Sequence, residues 1–365
     1  MIFDLLCLYF FSYIESVLIN SKLMQRILLF VLILIGINSY SQSEANIFPQ
    51  TKTVRYDTTR ILDLSQKLSV WGYGIQKMYT INLINTNTKK KLNLSPNGQM
   101  NFGLGFNYKW MGLGVAFKLP LSKNDDDIYG KTKRFDFQLN IFARSFGIDF
   151  STQYYKGFYV TNPADFISWN REEFPTLPNL EILSSELSAY YFSNNKRFSY
   201  RAAFVRNEIQ KKGAGSPIFG AYVRYDLAVS PDGFVPKELP ESVKDTFDIS
   251  AFITTNYGLS IGYTFTFVIW KKFFINISMV PGLGSKTLKV YTSEGEFRTK
   301  PGLSGRYVGR LALGYEHKYF YLGLSSTSIS NNVTYENLTL SSSTTKFRIF
   351  VGKRFDLKKK KKKDI

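Results

Sequence analysis

The feature of this sequence that most limits its fold is an alternation of apolar and polar side chains with a period of two residues. Its longest stretch keeps one phase over 17 residues, with an aliphatic, aromatic or threonine side chain at every odd position from Ile253 to Ile269. Strands of soluble proteins average about five or six residues, whereas about 9 to 11 tilted residues cross a bilayer. Strands of outer-membrane barrels often extend beyond the bilayer. The length therefore favours a strand of a transmembrane barrel.

The same alternation recurs, in either phase, from Leu68 to Phe355, and no other region shows sustained helical spacing. Tight turns separate some runs and long polar stretches separate others, as expected for the periplasmic and outer ends of a barrel. The sequence predicts an all-β, antiparallel up-and-down transmembrane β-barrel over residues 67–355. We expect about 12 strands, with 10 or 14 possible, because single-chain bacterial barrels have an even number.

One part of the chain does not fit this pattern. Counting strands forward from Leu68 and backward from Phe355 assigns residues 182–229 opposite directions, so one strand is missing or one too many is counted there. The runs counted include a strand over 198–205, preceded by a tight turn at 194–196, and a long loop is predicted over 161–180.

An export signal precedes the barrel. Residues 27–37 form an apolar run of 11 residues after Arg26, which is typical of a signal peptide. A helix of this length rises about 16 Å, roughly half of the hydrocarbon core, so a membrane anchor is the weaker alternative. We predict a leader and signal peptide over residues 1–42, with Met24 as a possible true start, a mature start near 42–43, and a polar periplasmic lead-in over 43–66. The lone Cys7 lies in the leader, so a thiol or disulfide in the mature chain is excluded.

The charge is strongly basic. Of the formal net charge of +19, the lysine run 358–363 with Asp364 contributes +5 within the tail 356–365, and the remainder is spread along the chain. Without a basic stripe, a nucleic-acid partner is not expected, and the tail is interpreted as solvated. We expect the partners to be outer-membrane lipid and lipopolysaccharide, and the barrel-assembly machinery during biogenesis. The last strand ends on the aromatic Phe355, like an assembly signal, although ten residues follow it.

Four segments carry a family resemblance: Arg55-Tyr56-Asp57-Thr58-Thr59, residues 124–132 (NDDDIYGKT), residues 153–159 (QYYKGFY), and Trp270 through Val280-Pro281-Gly282-Leu283-Gly284. Together they resemble an uncharacterised family of outer-membrane β-barrels, a domain of unknown function of Bacteroidetes-type Gram-negative bacteria. The resemblance covers most of residues 53–355. It implies a barrel in the cell outer membrane and implies no activity. The leader of 23 residues before Met24 and the lysine tail depart from it.

If the apolar positions face lipid, the polar positions between them face the lumen. This predicts ten lumen-facing side chains: Asp136, Gln138, Asn140, Asp149, Gln153, Arg201, Arg224, Arg310, Glu316 and Arg348. They form either a hydrogen-bond and ion-pair network that plugs the barrel or the wall of a pore whose excess arginines favour anions.

Catalytic and metal chemistry have few candidates. The only histidine, His317, lies in a tight turn, where it is poorly placed to act as the base of a hydrolase. The glycine pairs lie within strands, which excludes a glycine-rich phosphate-binding loop. Asp125, Asp126 and Asp127 could offer oxygen ligands to Ca²⁺ but lack the spacing of an EF-hand loop. No cofactor is predicted.

The sequence thus predicts a non-enzymatic barrel at the outer membrane with a structural, binding or passive transport role. A soluble periplasmic β-barrel or sandwich that binds a ligand is the second interpretation, because its strands would also alternate. The clustering of aromatic side chains at strand ends, where interfacial girdles belong, favours the membrane. An outer-membrane hydrolase is a distant third.

Overall fold

A computed structural model describes residues 56–108, 111–118, 125–298 and 301–357. The predicted signal peptide, most of the lead-in and the lysine run of the tail lie outside these residues. Within them, no helix has both the length and the apolar character needed to cross a membrane.

The described chain consists mainly of strands. Three short α-helices interrupt them, α1 (Asp126–Tyr129), α2 (Tyr200–Phe204) and α3 (Glu241–Thr246), together with one turn of 3-10 helix (Pro163–Asp165). The strands are β1 (Ile61–Asp63), β2 (Leu68–Asn85), β3 (Lys91–Ser95), β4 (Asn101–Tyr108), β5 (Met111–Lys118), β6 (Lys133–Phe142), β7 (Phe146–Val160), β8 (Thr176–Phe192), β9 (Glu208–Gln210), β10 (Ala214–Val229), β11 (Ala251–Ile269), β12 (Phe273–Thr292), β13 (Gly295–Arg298), β14 (Gly302–Glu316), β15 (Phe320–Tyr335) and β16 (Leu338–Phe355).

Ten antiparallel strands close into a ring in the order β2, β16, β15, β14, β12, β11, β10, β8, β7 and β3, with β3 bonded back to β2. This confirms the predicted antiparallel barrel, with a closed ring at the lower limit of the predicted 10 to 14 strands. The count of 12 is not reached in the ring because β3 joins β2 directly to β7. The N-terminal half of β2 pairs instead with β4, which pairs with β5, and β7 also pairs with β6. Among the described residues β5 and β6 do not pair with each other.

The misfit over residues 182–229 came from one strand too many. β8 runs down to Phe192 and β10 returns from Ala214, so the two are neighbours in the ring. The strand predicted over 198–205 is wrong: this stretch contains helix α2, whose N-cap Ser199 accepts a hydrogen bond from the amide of Ala202 at 3.0 Å. Apolar side chains at 198, 200, 202 and 204 have the two-residue spacing of a strand, and a helix of one turn is too short to show the 3.6-residue period of a helix. The predicted loop over 161–180 is also shorter, because β8 begins at Thr176.

The two faces of the barrel differ in polarity through its middle. On β11 the outward side chains Tyr257, Leu259 and Ile261 are 54, 72 and 61% exposed, whereas the inward Asn256 and Thr264 are buried. This is the reverse of a soluble barrel, whose apolar face packs inside. The outward face therefore presents an apolar belt and the inward face a polar interior.

Residues 230–250 and strand-end side chains close one end of the barrel, and we call this packed group the outer seal. Phe234, Val243 and Phe247 from that segment are at most 2% exposed and pack in one cluster with inward side chains such as Leu83 and Val290. Burial of apolar surface holds this end together.

A second group, residues 56–67 with residues 193–213, closes the opposite end, and we call it the inner seal. β1 and β9 pair as a two-stranded sheet from Ile61–Gln210 to Asp63–Glu208. The described part of the predicted lead-in therefore contains a strand, β1, which pairs with β9 in the segment between β8 and β10.

Candidate functional site in the barrel interior

A buried ion-pair layer crosses the middle of the lumen. Glu186 on β8 pairs with Arg224 at 3.2 Å and with Arg306 on β14, and Arg224 also pairs with Asp226 at 2.7 Å. Ser188 accepts a further hydrogen bond from Arg306 at 2.9 Å. The strand period of two places these side chains on the inward face of three strands, where each charge has a partner of opposite sign.

A second layer connects the barrel wall to the inner seal. Arg310 pairs with Asp149 and donates a hydrogen bond to the hydroxyl of Tyr200 at 2.9 Å. Asn140 also donates to Asp149, at 2.7 Å. Tyr200, on α2, stacks on Phe192 with ring centroids 4.5 Å apart, and its burial raises the pKa of its hydroxyl. The ring is thereby held as a neutral hydrogen-bond partner.

A third group lies on β2, β6, β7 and β16. Asp136 pairs with Lys77 at 2.7 Å and accepts hydrogen bonds from Gln138 at 2.8 Å and from Gln153 at 2.9 Å. Arg348 faces the rings of Trp71 and Tyr73 rather than a carboxylate, with its guanidinium carbon 5.7 and 5.0 Å from their centroids.

Charged contacts hold the inner seal. Glu316 pairs with Arg354 at 2.7 Å and with Arg206 at 3.3 Å, and Arg354 donates to the carbonyl of Arg206 at 2.7 Å. Burial lowers the pKa of Arg206 to about 10, although Glu316 acts in the opposite direction. The guanidinium therefore stays charged at neutral pH, and its ion pair with Glu316 is kept.

Glu208 forms the second charged centre of the inner seal. It pairs with Arg144 at 2.8 Å and with Arg201 at 3.1 Å, and accepts from the hydroxyl of Ser199 at 2.5 Å. Arg144 comes from the turn between β6 and β7, so the seal is fixed to the barrel rim as well as to the lumen wall.

The predicted lumen side chains therefore lie in the three interior groups and in the inner seal. Nine of the ten are on inward positions of barrel strands, in the groups just described; Arg201 is on α2 and belongs to the inner seal. Several partners were not predicted: Lys77, Glu186, Asp226, Arg306, Lys346 and Arg354. The phase of β16 places Arg354 on the same face as Arg348, so the alternation already indicated it, whereas Glu186 lay in the region whose direction was misassigned.

The aspartate triplet lies at the outer end. Asp125 is the N-cap of α1, Asp126 and Asp127 follow in its first turn, and Asp126 accepts from Asn97 at 3.3 Å. No group of three or more His, Cys, Asp or Glu side chains in the described part of the chain is arranged to hold a metal ion. The calcium site stays a prediction. His317 lies in its turn against Tyr319 and Phe320, with centroids 5.7 and 5.3 Å apart.

Paired charges are the common feature of these interior groups. Asp149, Glu186, Asp226, Glu208 and Glu316 each face at least one guanidinium.

One family model matches the chain. It is described as Domain of unknown function (DUF4421), and the match covers residues 55–355. No curated protein matches the chain.

Several solved structures resemble the chain at low similarity. The outer membrane protease OmpT from Escherichia coli shares 8% identity at a TM-score of 0.37, covering 82% of this chain and 100% of that one. The translocator domain of the autotransporter NalP from Neisseria meningitidis shares 9% at 0.33, covering 89% and 96%. The toluene transporter TodX of P. putida shares 8% at 0.25, covering 80% and 91%.

Proposed function

The chain belongs to the DUF4421 family, a domain of unknown function, and we propose that it is an integral outer-membrane β-barrel with a closed interior. Its role in this proposal is structural or binding, not that of an open diffusion pore or an enzyme. The observation that carries the proposal is the apolar outward belt around a charged, sealed lumen.

The belt supports the membrane. Outward side chains are exposed on every long strand of the ring, for example Leu283 at 72%, Leu303 at 84% and Val351 at 60%. A soluble monomer rarely exposes contiguous apolar patches larger than a few hundred Å². In a bilayer the same side chains contact lipid, and ring closure satisfies the backbone amides of the strands. The belt therefore disfavours the soluble periplasmic interpretation.

The contents of the lumen support closure. The outer seal fills one end with apolar side chains, the inner seal fills the other, and the layer around Glu186 crosses between them. A cavity beside Tyr79, Asp226 and Phe252 has a volume of about 20 Å³, which accommodates about one water molecule. An ion would have to displace these groups in order to cross.

Two measurements test the proposal. Membrane fractionation with heat-modifiable gel mobility should recover the mature chain in the outer membrane as a folded barrel, and recovery from the soluble periplasm would contradict it. In planar bilayers the purified full chain should show no conductance steps. Regular steps from the unmodified protein would replace the closed barrel with a pore, and their reversal potential would report its ion preference.

A further inference from the structure

Two lysines face each other across neighbouring strands inside the barrel. Lys346 on β16 is the direct register partner of Lys77 on β2, and both point to the lumen. Arg348 occupies the next inward position of β16. Like charges directly opposite in a sheet are destabilising, so this arrangement needs negative charge nearby.

The protein supplies too little negative charge here. Asp136 already forms an ion pair with Lys77 and accepts hydrogen bonds from Gln138 and Gln153. Asp149, the other carboxylate that acts on Lys346, is taken by Arg310. Among the described residues Lys346 has no hydrogen-bond or ion-pair acceptor.

Arg348 likewise has no carboxylate partner among the described residues. Its Nε is buried without a hydrogen-bond partner in the described part of the chain, and its guanidinium lies against the faces of Trp71 and Tyr73. The remaining nearby arginine, Arg134, donates to Asn101 at 3.1 Å and to the carbonyl of Gln99 at 3.5 Å, so it brings no carboxylate either.

The deficit is local. Elsewhere in the interior Arg206, Arg224, Arg306, Arg310 and Arg354 each pair with a carboxylate. The cationic group of Lys77, Lys346 and Arg348 is also partly exposed, unlike Arg306 and Arg354, whose side chains are each 1% exposed. Asn140 on β6 is exposed and donates to Asp149, one of the two carboxylates that act on Lys346. The group therefore has both unmatched charge and partial access to solvent.

We propose that Lys346 and Arg348, with Lys77 beside them, bind an oxyanion of the phosphate type in the barrel interior. An ammonium group supplies a point charge and a guanidinium a planar fork of donors, the combination that recurs in phosphate recognition. The bound group would complete the charge balance between β2 and β16. This site does not depend on whether the barrel conducts, so it and the closed-barrel proposal can fail separately.

The test uses the full chain in a non-ionic detergent, with inorganic phosphate as the probe. Trp71 lies against Arg348, so its fluorescence should change saturably as phosphate binds, and Trp71→Phe should remove that signal. Lys346→Met and Arg348→Met should each weaken binding about tenfold or more, as expected when a charged hydrogen-bond donor is lost. Lys346→Arg should retain binding, because it keeps the charge.

A matched control is Lys286→Met. Lys286 is also an inward lysine, 7% exposed, but it donates to the carbonyl of Thr334 at 2.8 Å and belongs to another part of the wall. Its removal should leave phosphate binding unchanged. An equal loss in Lys286→Met would reduce the effect to general charge and overturn the site.

A stability readout separates binding from a merely structural role. In phosphate-free buffer Lys346→Met should unfold at a higher temperature than the parent, because it removes one of two opposed lysines; added phosphate should then stabilise only the parent. Dodecyl phosphate, with dodecyl maltoside as its uncharged control, tests whether the anion arrives on an amphiphile from the lipid. Tighter binding of dodecyl phosphate than of phosphate supports a lipid source, and equal binding a free anion. No saturable response to either compound would overturn the proposal.

Discussion

Both ends of the barrel contain buried apolar side chains, but they differ in how much buried charge they contain. The outer seal consists of apolar side chains such as Phe234, Leu239 and Phe247, at most 3% exposed. The inner seal is centred on two carboxylates, Glu208 and Glu316, each paired with two arginines. Apolar packing is non-directional and tolerates small changes, whereas a buried charge depends on particular partners. The inner end should therefore be the one that a single substitution can open.

Glu316→Gln should have the largest effect. It leaves Arg206 and Arg354, with side chains 6 and 1% exposed, without a carboxylate, and breaking a buried pair in this way costs about 3 to 5 kcal/mol. The midpoint of urea unfolding should fall, and residues 193–213 should become open to protease. Adding Arg206→Met should recover part of the stability. An unchanged midpoint in Glu316→Gln would show that the inner seal does not depend on its charges.

Gly157→Ala should cause the second-largest loss of stability. Gly157 has φ +92° within an irregularity of β7, and a Cβ there would lie 2.3 Å from the carbonyl oxygen of Lys131. Forcing an L side chain into this conformation costs about 1 to 3 kcal/mol. Gly295→Ala is the control: it has φ +134° but open space around it. Equal losses of stability in both variants would show that the backbone conformation alone, and not the contact with Lys131, causes the effect.

Val243→Ala tests the apolar end directly. Val243 on α3 is 2% exposed in the outer seal, and removal of two buried carbon groups should cost about 1.6 kcal/mol. We expect lower stability without protease access at residues 193–213. Cleavage of the inner segment in this variant would mean that the two seals open together.

Glu241→Gln should have the smallest effect. The charged atoms of Glu241 and Lys244 on α3 are 2.6 Å apart, slightly closer than those of Glu316 and Arg354 at 2.7 Å, but the Glu241 and Lys244 side chains are 76 and 36% exposed. A pair of this kind contributes at most about 0.5 kcal/mol. A loss of stability as large as that of Glu316→Gln would show that burial does not decide how much an ion pair contributes at either end.

Long strands were predictable because their faces meet different environments throughout their length. The run Ile253 to Ile269 became β11, Ala251–Ile269, with the predicted phase. The helix α2 was not predicted, although Ser199 before two alanines is a helix start signal, because five residues give too few periods to distinguish a helix from a strand. The ring closure through β3 was also missed, since a pairing between Leu94 and Val160 leaves no trace in local sequence.

The interior was predictable in type but not in pairing. Alternation identifies inward polar positions such as Arg224 and Arg310, because it requires only that lipid and lumen differ. The alternation does not predict that Arg310 forms an ion pair with Asp149, which lies 161 residues earlier in the chain. That partnership depends on ring order and register, which few local features of the sequence determine.

The inner seal is attached to the barrel at both of the ends of residues 193–213, through Phe192 on β8 and Ala214 on β10. A segment held this way cannot diffuse away when its ion pairs break, so its local concentration at the lumen stays high. Reclosure is then a first-order event whose rate does not depend on protein concentration. An inner end opened by a transient loss of charge pairing would therefore close again within the same molecule.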